Sequence, residues 1–273
     1  MQRESGSHIF KVAVVLCLVC SLLVAMSAVG LRGQQQANKE LFKRKNILAA
    51  AGLFNDRKHT DSDVEALFAS VEKRLVELDT GQYSDAFADP EAYDPRKASR
   101  DPALSDVIAP EKDVAGVKRR EQYAFVYLVK DASGAVDQVV LPIRGYGLWS
   151  TLRGFLALDG KTLARSPGET RIRGLTYYEH GETPGLGGEV DNPDWKATWN
   201  NKRAFDDNWD VAIRLVKSAA SDYEVDALAG ATITSRGVTN MLRYWLGEVG
   251  FGPFLKNLQQ ELRRADTGGD KNA

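Results

Sequence analysis

Hydrophobic and polar positions divide this chain into an apolar N-terminal run and a long patterned remainder. Residues 9–31 are apolar apart from Lys11, two serines and a glycine, and residues 12–31 carry no charge. A segment of that length crosses the roughly 30 Å hydrocarbon core of a bilayer. A cleavable signal peptide competes, because Ala25-Met26-Ser27 resembles a small-x-small processing site. The run is long for such a leader and stays apolar through Val29 and Leu31, so an uncleaved anchor is expected at 9–31, after a short tail at 1–8.

Beyond the anchor, residues 34–54 are compatible with a helix. Ser62-Asp-Val-Glu65 has the form of a capping box, and Val64, Leu67, Phe68, Val71, Leu75 and Leu78 continue it as one helical stripe. Residues 79–118 are polar and carry three Asp-Pro pairs, which predicts an irregular excursion. Strand patterns begin at Tyr123. Residues 124–129 and 136–143 flank Asp131-Ala-Ser-Gly134 as a hairpin, and further strands are expected at 154–158, before a turn at Asp159-Gly160, and at 171–178. Between the strands, Arg144-Gly-Tyr-Gly-Leu-Trp-Ser150 reads as a glycine-punctuated loop. Its Tyr146, Leu148 and Trp149 either pack on the core or face a ligand. Near the end, Val238, Met241, Leu242, Trp245, Leu246 and Val249 recur at helical spacing, with Ser235 in the position of an N-cap.

Strands followed by helices, without strict βαβ alternation, predict an α+β fold: a single transmembrane helix, then one mixed α/β domain with a largely antiparallel sheet. The expected division is 32–118 as a helical and irregular part, 119–260 as the domain, and 261–273 as a polar tail.

Composition narrows the chemistry. The 273 residues carry a net charge of −1 with no basic run, which leaves no electrostatic footprint for nucleic acid. Both cysteines, Cys17 and Cys20, lie in the apolar run, so the soluble part has neither a disulfide nor a thiolate metal site. Charges near the anchor (Arg3 and Lys11 before it, Arg32, Lys39, Lys43, Arg44 and Lys45 after it) would favour a cytoplasmic domain, but long domains translocate largely regardless of such counts.

Two stretches carry the candidate chemistry. The first is Asp226-Ala-Leu-Ala-Gly-Ala-Thr-Ile-Thr-Ser235. Its three hydroxyls lie at the mouth of the last patterned helix, where unpaired N–H groups and the dipole favour a phosphate. The second is Glu179-His-Gly-Glu-Thr-Pro-Gly-Leu-Gly-Gly188. With four glycines and a proline, it forms a loop whose backbone can approach a bound group closely. Its Glu179, His180, Glu182 and Thr183 have no zinc spacing, and no second histidine is near.

Asp-x-x-x-Gly-Ala-Thr, residues 226–232, resembles the acceptor site of bacterial flavin transferases, which join FMN through its phosphate to a threonine hydroxyl. Together with Glu-Thr-Pro-Gly-Leu-Gly at 182–187 it resembles the FMN-binding domain found in related subunits of two membrane redox complexes. These complexes are the sodium-translocating NADH:quinone oxidoreductase and the Rnf electron-transport complex. Gly-Leu-Trp-Ser at 147–150 and residues 188–195 favour the quinone reductase; Ala229 stands where serine or threonine is common.

The resemblance implies a covalent FMN on Thr232, with Gly230 and Ala231 leaving room for the transferase and Thr234 and Ser235 donating to the phosphate. It implies ring contacts from Glu182, Thr183 and Gly185, apolar walls from Leu148, Trp149 and Leu186, and a nearby cation, for which Lys217 is the candidate. No nucleophile or catalytic base is expected. The chain would relay electrons among other subunits of the complex, anchored in the bacterial inner membrane with its FMN domain on the periplasmic side. From another class, an anchored ligand-binding or sensor domain without redox role would show no flavin absorption.

Overall fold

The computed structural model describes residues 6–55 and 57–269. Residues 1–5 of the expected N-terminal tail and 270–273 of the expected polar tail lie outside the described residues. The chain divides into two units between residues 43 and 44. In the first, helix α1 (Gly6–Gly30) is long and apolar enough to cross a membrane, with a mean hydropathy of 2.8 over its most apolar 18 residues and no buried residue. Helix α2 (Arg32–Ala50) follows it in sequence.

The second unit is built on a sheet of five antiparallel strands, in the order β1 (Val71–Glu77), β4 (Tyr123–Lys130), β5 (Val136–Tyr146), β6 (Thr151–Asp159) and β7 (Ile172–Glu179). Short pieces fill the connections: α3 (Asp63–Phe68), α4 (Pro95–Ala98), the pair β2 (Ser105–Val107) and β3 (Arg119–Glu121), α5 (Gly160–Arg165) and α6 (Pro193–Ala197). A small parallel pair, β8 (Arg214–Val216) and β9 (Glu224–Asp226), precedes the C-terminal helices α7 (Thr232–Leu246) and α8 (Gly252–Gly269). This is the expected α+β architecture with a largely antiparallel sheet.

The period of two along β4 explains how both faces are covered. Ala124, Val126 and Leu128 join the core under α7 and α8, which also holds Met241, Trp245 and Phe254. Phe125, Tyr127 and Val129 point the other way, into a second core closed by Ile47 and Ala50 of α2 and by Tyr93. Because both faces are buried, the strand reads as a continuous apolar run rather than an alternating one. Asp131 fixes the β4–β5 turn, its carboxylate accepting from the N–H groups of Ser133 (2.8 Å) and Ala135 (3.1 Å).

Three expectations are corrected. Residues 71–78 do not continue a helix from residue 62: α3 ends at Phe68 and Val71–Glu77 is the edge strand β1. Pairing with β4 overrides a helical spacing that the strand's apolar residues satisfied by coincidence. Ser62 makes no side-chain cap; Asp63 instead reaches back to the Thr60 N–H at 2.7 Å. Asp159-Gly160 is not a plain turn, because Asp159 caps α5 by accepting from the Thr162 N–H at 2.7 Å.

Candidate functional site

Three segments meet where the β5–β6 hairpin approaches the start of α7. Strand pairing continues to Tyr146 and Thr151, so the glycine-punctuated loop shrinks to a tip at 147–150, closed by a 2.8 Å hydrogen bond from the Gly147 N–H to the Ser150 carbonyl. The second segment is the glycine-rich 180–188 loop. The third is the turn entering α7.

Glu182 joins them. Its side chain is buried, 5% exposed, and its carboxylate accepts from the N–H groups of Leu148 (3.1 Å), Trp149 (3.0 Å) and Ser150 (3.2 Å). The Thr234 hydroxyl donates to the same carboxylate at 2.6 Å. Glycine makes room for this arrangement. A Cβ on Gly147 would stand 2.6 Å from Glu182 Oε1, and one on Gly187 would stand 2.6 Å from Thr234 Oγ1. Burial works to raise the pKa of this carboxyl. The hydrogen bonds from Thr234 and the hairpin tip outweigh it, and the group is held below the ordinary glutamate range.

Helix α7 starts at Thr232, with Ala231 as its N-cap residue and no side-chain cap. The first-turn N–H groups have no acceptor within the helix, so its positive end is open to an anion. Thr232 is exposed at this end. Four apolar side chains on these segments are left in solvent by the fold: Ile233 beside Thr232, Leu186 of the loop, and Leu148 and Trp149 (66% exposed) of the hairpin tip. Leu186 reaches the acceptor turn, since a Cβ on Gly230 would touch its Cδ2 at 3.0 Å. Loop residues Thr183 and Gly185 are also exposed, Gly185 with φ +76.

Two expected placements change. Ser235 is not the N-cap: the helix begins a turn earlier, and the buried Ser235 hydroxyl accepts from the Leu228 N–H at 3.0 Å. It ties down the turn that leads into the helix. Thr234 is 1% exposed, and its hydroxyl, spent on Glu182, is not turned towards the open helix end. Lys217 is exposed just beyond β8, next to the residue paired with Asp226. Of Glu179 and His180, the first pairs with Arg96 and the second lies 2.8 Å from Asp191.

Sequence reasoning missed three participants. Ser150 accepts from the Gly181 N–H at 2.7 Å and so fastens the loop to the hairpin tip. Ile233 extends the apolar wall. Arg236 is exposed four residues after Thr232, on the same helical face, and side chains on a helix lean towards its N-terminus. The i, i+4 spacing was the available signal for Arg236.

Comparison with known proteins shows the family. Residues 147–247 match the FMN-binding domain family, a span running from the hairpin tip to the end of α7. The chain is 48% identical to the NqrC subunit of the Na(+)-translocating NADH-quinone reductase of Pseudomonas aeruginosa, over 94% of this chain and 98% of that one. The corresponding protein of Yersinia pestis is 46% identical over 94% and 95%. Among solved structures, NqrC of Shewanella oneidensis superposes with a TM-score of 0.71 at 37% identity, covering 81% of this chain and 98% of that one.

Proposed function

Because the chain belongs to the NqrC family of the Na(+)-translocating NADH-quinone reductase, we propose that it is the electron-relay subunit of that complex, carrying FMN on Thr232 through a phosphodiester bond. The family is that of an FMN-binding subunit of a multi-subunit oxidoreductase. The attachment, its residue contacts and the side of the membrane are our reading. A flavin transferase would install the group.

The observation that carries this reading is an exposed threonine at an uncapped helix start, on a fold that joins this helix through Glu182 to a hairpin tip and loop with apolar side chains left in solvent. The residues fit the group on three counts. The α7 N–H groups suit a phosphate, with Arg236, and Lys217 from the β8 end, as neighbouring cations. Leu148, Trp149, Leu186 and Ile233 suit the faces of a planar ring, with Thr183, Gly185 and the loop backbone at its polar edge. Glu182 acts through the hairpin tip: it holds the wall residues in place by their N–H groups and has no free oxygen for the cofactor. When bound, FMN supplies one-electron transfer; the chain supplies position, electrostatics and partial exclusion of water. One apolar helix without an intramembrane carboxylate offers no ion path, so sodium movement belongs to other subunits.

The chain's absorption after expression with a flavin transferase separates this reading from an anchored sensor domain, which would lack flavin bands. Trp149→Ala should leave the flavin attached and raise its fluorescence by removing a stacked quencher. The fold should change by no more than about 0.5 kcal/mol, as for exposed sites. Unfolding of the variant with unchanged flavin emission would contradict this placement. Orientation is tested by fusions at Ala273: an active alkaline phosphatase and a dark green fluorescent protein are expected if the domain is periplasmic, and the reverse pair would refute it.

A further inference from the structure

A second site lies on the β5–β6 hairpin, away from the acceptor threonine. In the strand register Arg144 stands directly opposite Arg153, one pair removed from Gly145 and Leu152. Like charges facing each other across two strands cost stability. Arg144 is neutralised, because the buried Glu121 carboxylate lies 2.5 Å away and the Arg119 carbonyl accepts from it at 3.1 Å. Arg153 is less fully compensated: Glu179, its partner across β6 and β7, lies 3.8 Å away and is shared with Arg96. Only 20% of the Arg153 side chain is exposed. Burial, then the charges of Arg96 and Arg144, pulls its pKa below the usual arginine value.

Both arginines line a cleft of about 380 Å³, to which Arg100, Lys118 and Arg119 also contribute, and among the described residues no carboxylate lines it. Acid is not scarce in this chain, which has 37 acidic residues against 36 basic ones. The five cations come from four separate segments, and apart from Lys118 and Arg119 none are neighbours in the sequence. Their backbone is fixed. Lys118 is held at φ +66, a left-handed conformation uncommon for a residue with a side chain, by the Asp113 carboxylate, which accepts from the N–H groups of Val117 (2.7 Å) and Lys118 (2.8 Å). Arg119 is oriented by Ser105, donating to its hydroxyl at 3.0 Å and its carbonyl at 2.8 Å, with Nη1 left over. Five cations gathered on one cleft whose lining, among the described residues, holds no carboxylate make a charge arrangement that a bound anion would complete.

We propose that this cleft binds a phosphate-bearing anion, with the guanidinium forks of Arg153 and Arg119 as its principal contacts and Arg100 and Lys118 supplying further charge. Guanidinium forks match phosphate oxygens in geometry as well as charge. The concave shape and small volume suit a single phosphate ester or one lipid headgroup better than a protein surface. The chain's membrane-length helix makes a phospholipid headgroup one source; a free phosphate ester is the other. The proposal is independent of the flavin assignment, because the cleft does not include the first turn of α7.

The test uses the full chain in a neutral detergent. Its unfolding temperature is followed while inorganic phosphate replaces chloride at matched ionic strength. Phosphate should raise it in the parent. In Arg153→Gln, phosphate binding should weaken about tenfold, the equivalent of about 1.4 kcal/mol, whatever the starting value. Lys118→Gln, at an exposed position, should weaken it in the same direction and guards against a folding defect in the first variant. Reconstitution into phosphatidylglycerol nanodiscs separates the sources: a headgroup already in the cleft abolishes the added effect of phosphate, and a free ester leaves it intact. Identical unfolding in phosphate and chloride for the parent, or an undiminished phosphate response in both variants, overturns the proposal. Loss of other subunits from Arg153→Gln without any phosphate response also overturns it, and would mark the cleft as a docking point for an acidic protein segment.

Discussion

Thr232→Ala is expected to abolish the fluorescent band that survives denaturing gel electrophoresis, while the chain folds normally. Three hydroxyls lie within four residues at the start of α7, and the fold separates them. Only Thr232 is exposed, at the first position of a helix whose N-terminal N–H groups have no side-chain cap. Losing its hydroxyl breaks no hydrogen bond that the fold uses, and alanine is a good helix former, so stability should stay within about 0.5 kcal/mol. Thr234→Ala removes the 2.6 Å donor of a Glu182 oxygen that keeps the Leu148 N–H, and Ser235→Ala leaves the Leu228 N–H without its acceptor. The first should cost about 1.5–3 kcal/mol, as for a hydrogen bond to a charged group, and the second about 1–3 kcal/mol, the desolvation penalty of a buried unpaired group. Both should keep the band. The measurement is in-gel fluorescence and intact mass for all three variants, each expressed with a flavin transferase. A Thr232→Ala chain with the flavin still attached would show that another hydroxyl accepts it.

What could be read from the residues follows the range of the forces involved. The β4–β5 hairpin was legible because Asp131 and Gly134 close it locally, and the glycine-rich 180–188 loop because its composition forbids regular structure. The strand at 71–77 was not legible: it is defined by pairing with β4, far along the chain, while its own apolar spacing also fits a helix. The start of α7 was misplaced by a turn for a related reason. Ser235 looks like a cap in sequence, but its hydroxyl is drawn inward to Leu228 by the packing of the acceptor turn. Glu182 shows the same limit within the site. Its position in the loop suggested a cofactor contact, and only the fold reveals that hairpin and helix donors use up its oxygens. The basic cleft was wholly invisible, since its arginines become neighbours only when the strands pair.

Removal of the Glu182 carboxylate should be the most damaging single change in the site. Glu182→Ala strands three backbone N–H groups and the Thr234 hydroxyl around an empty space, and each donor left without an acceptor costs about 1–3 kcal/mol. Glu182→Gln keeps the shape and one acceptor oxygen, so about 1–3 kcal/mol is expected. The pH dependence identifies the cause. The carboxyl is held below the ordinary glutamate value of about 4.3, so the folded state binds its proton less readily than the unfolded state does. Its contribution is therefore complete above that ordinary value and fades as pH falls through the lower folded-state pKa. Urea unfolding of parent and Glu182→Gln should give a constant difference between about pH 5 and pH 8, narrowing as the pH drops below about 4. The effect should also reach the neighbouring wall: with the tip at 147–150 released, Trp149 loses its fixed position, and its fluorescence anisotropy, taken as the difference from the matching Trp149→Phe protein, should be lower in Glu182→Gln than in the parent. A stability difference that stays flat down to pH 3, or a tip that remains rigid without the carboxylate, would mean that the hairpin is held by its strand pairing alone and that Glu182 has been given too large a part.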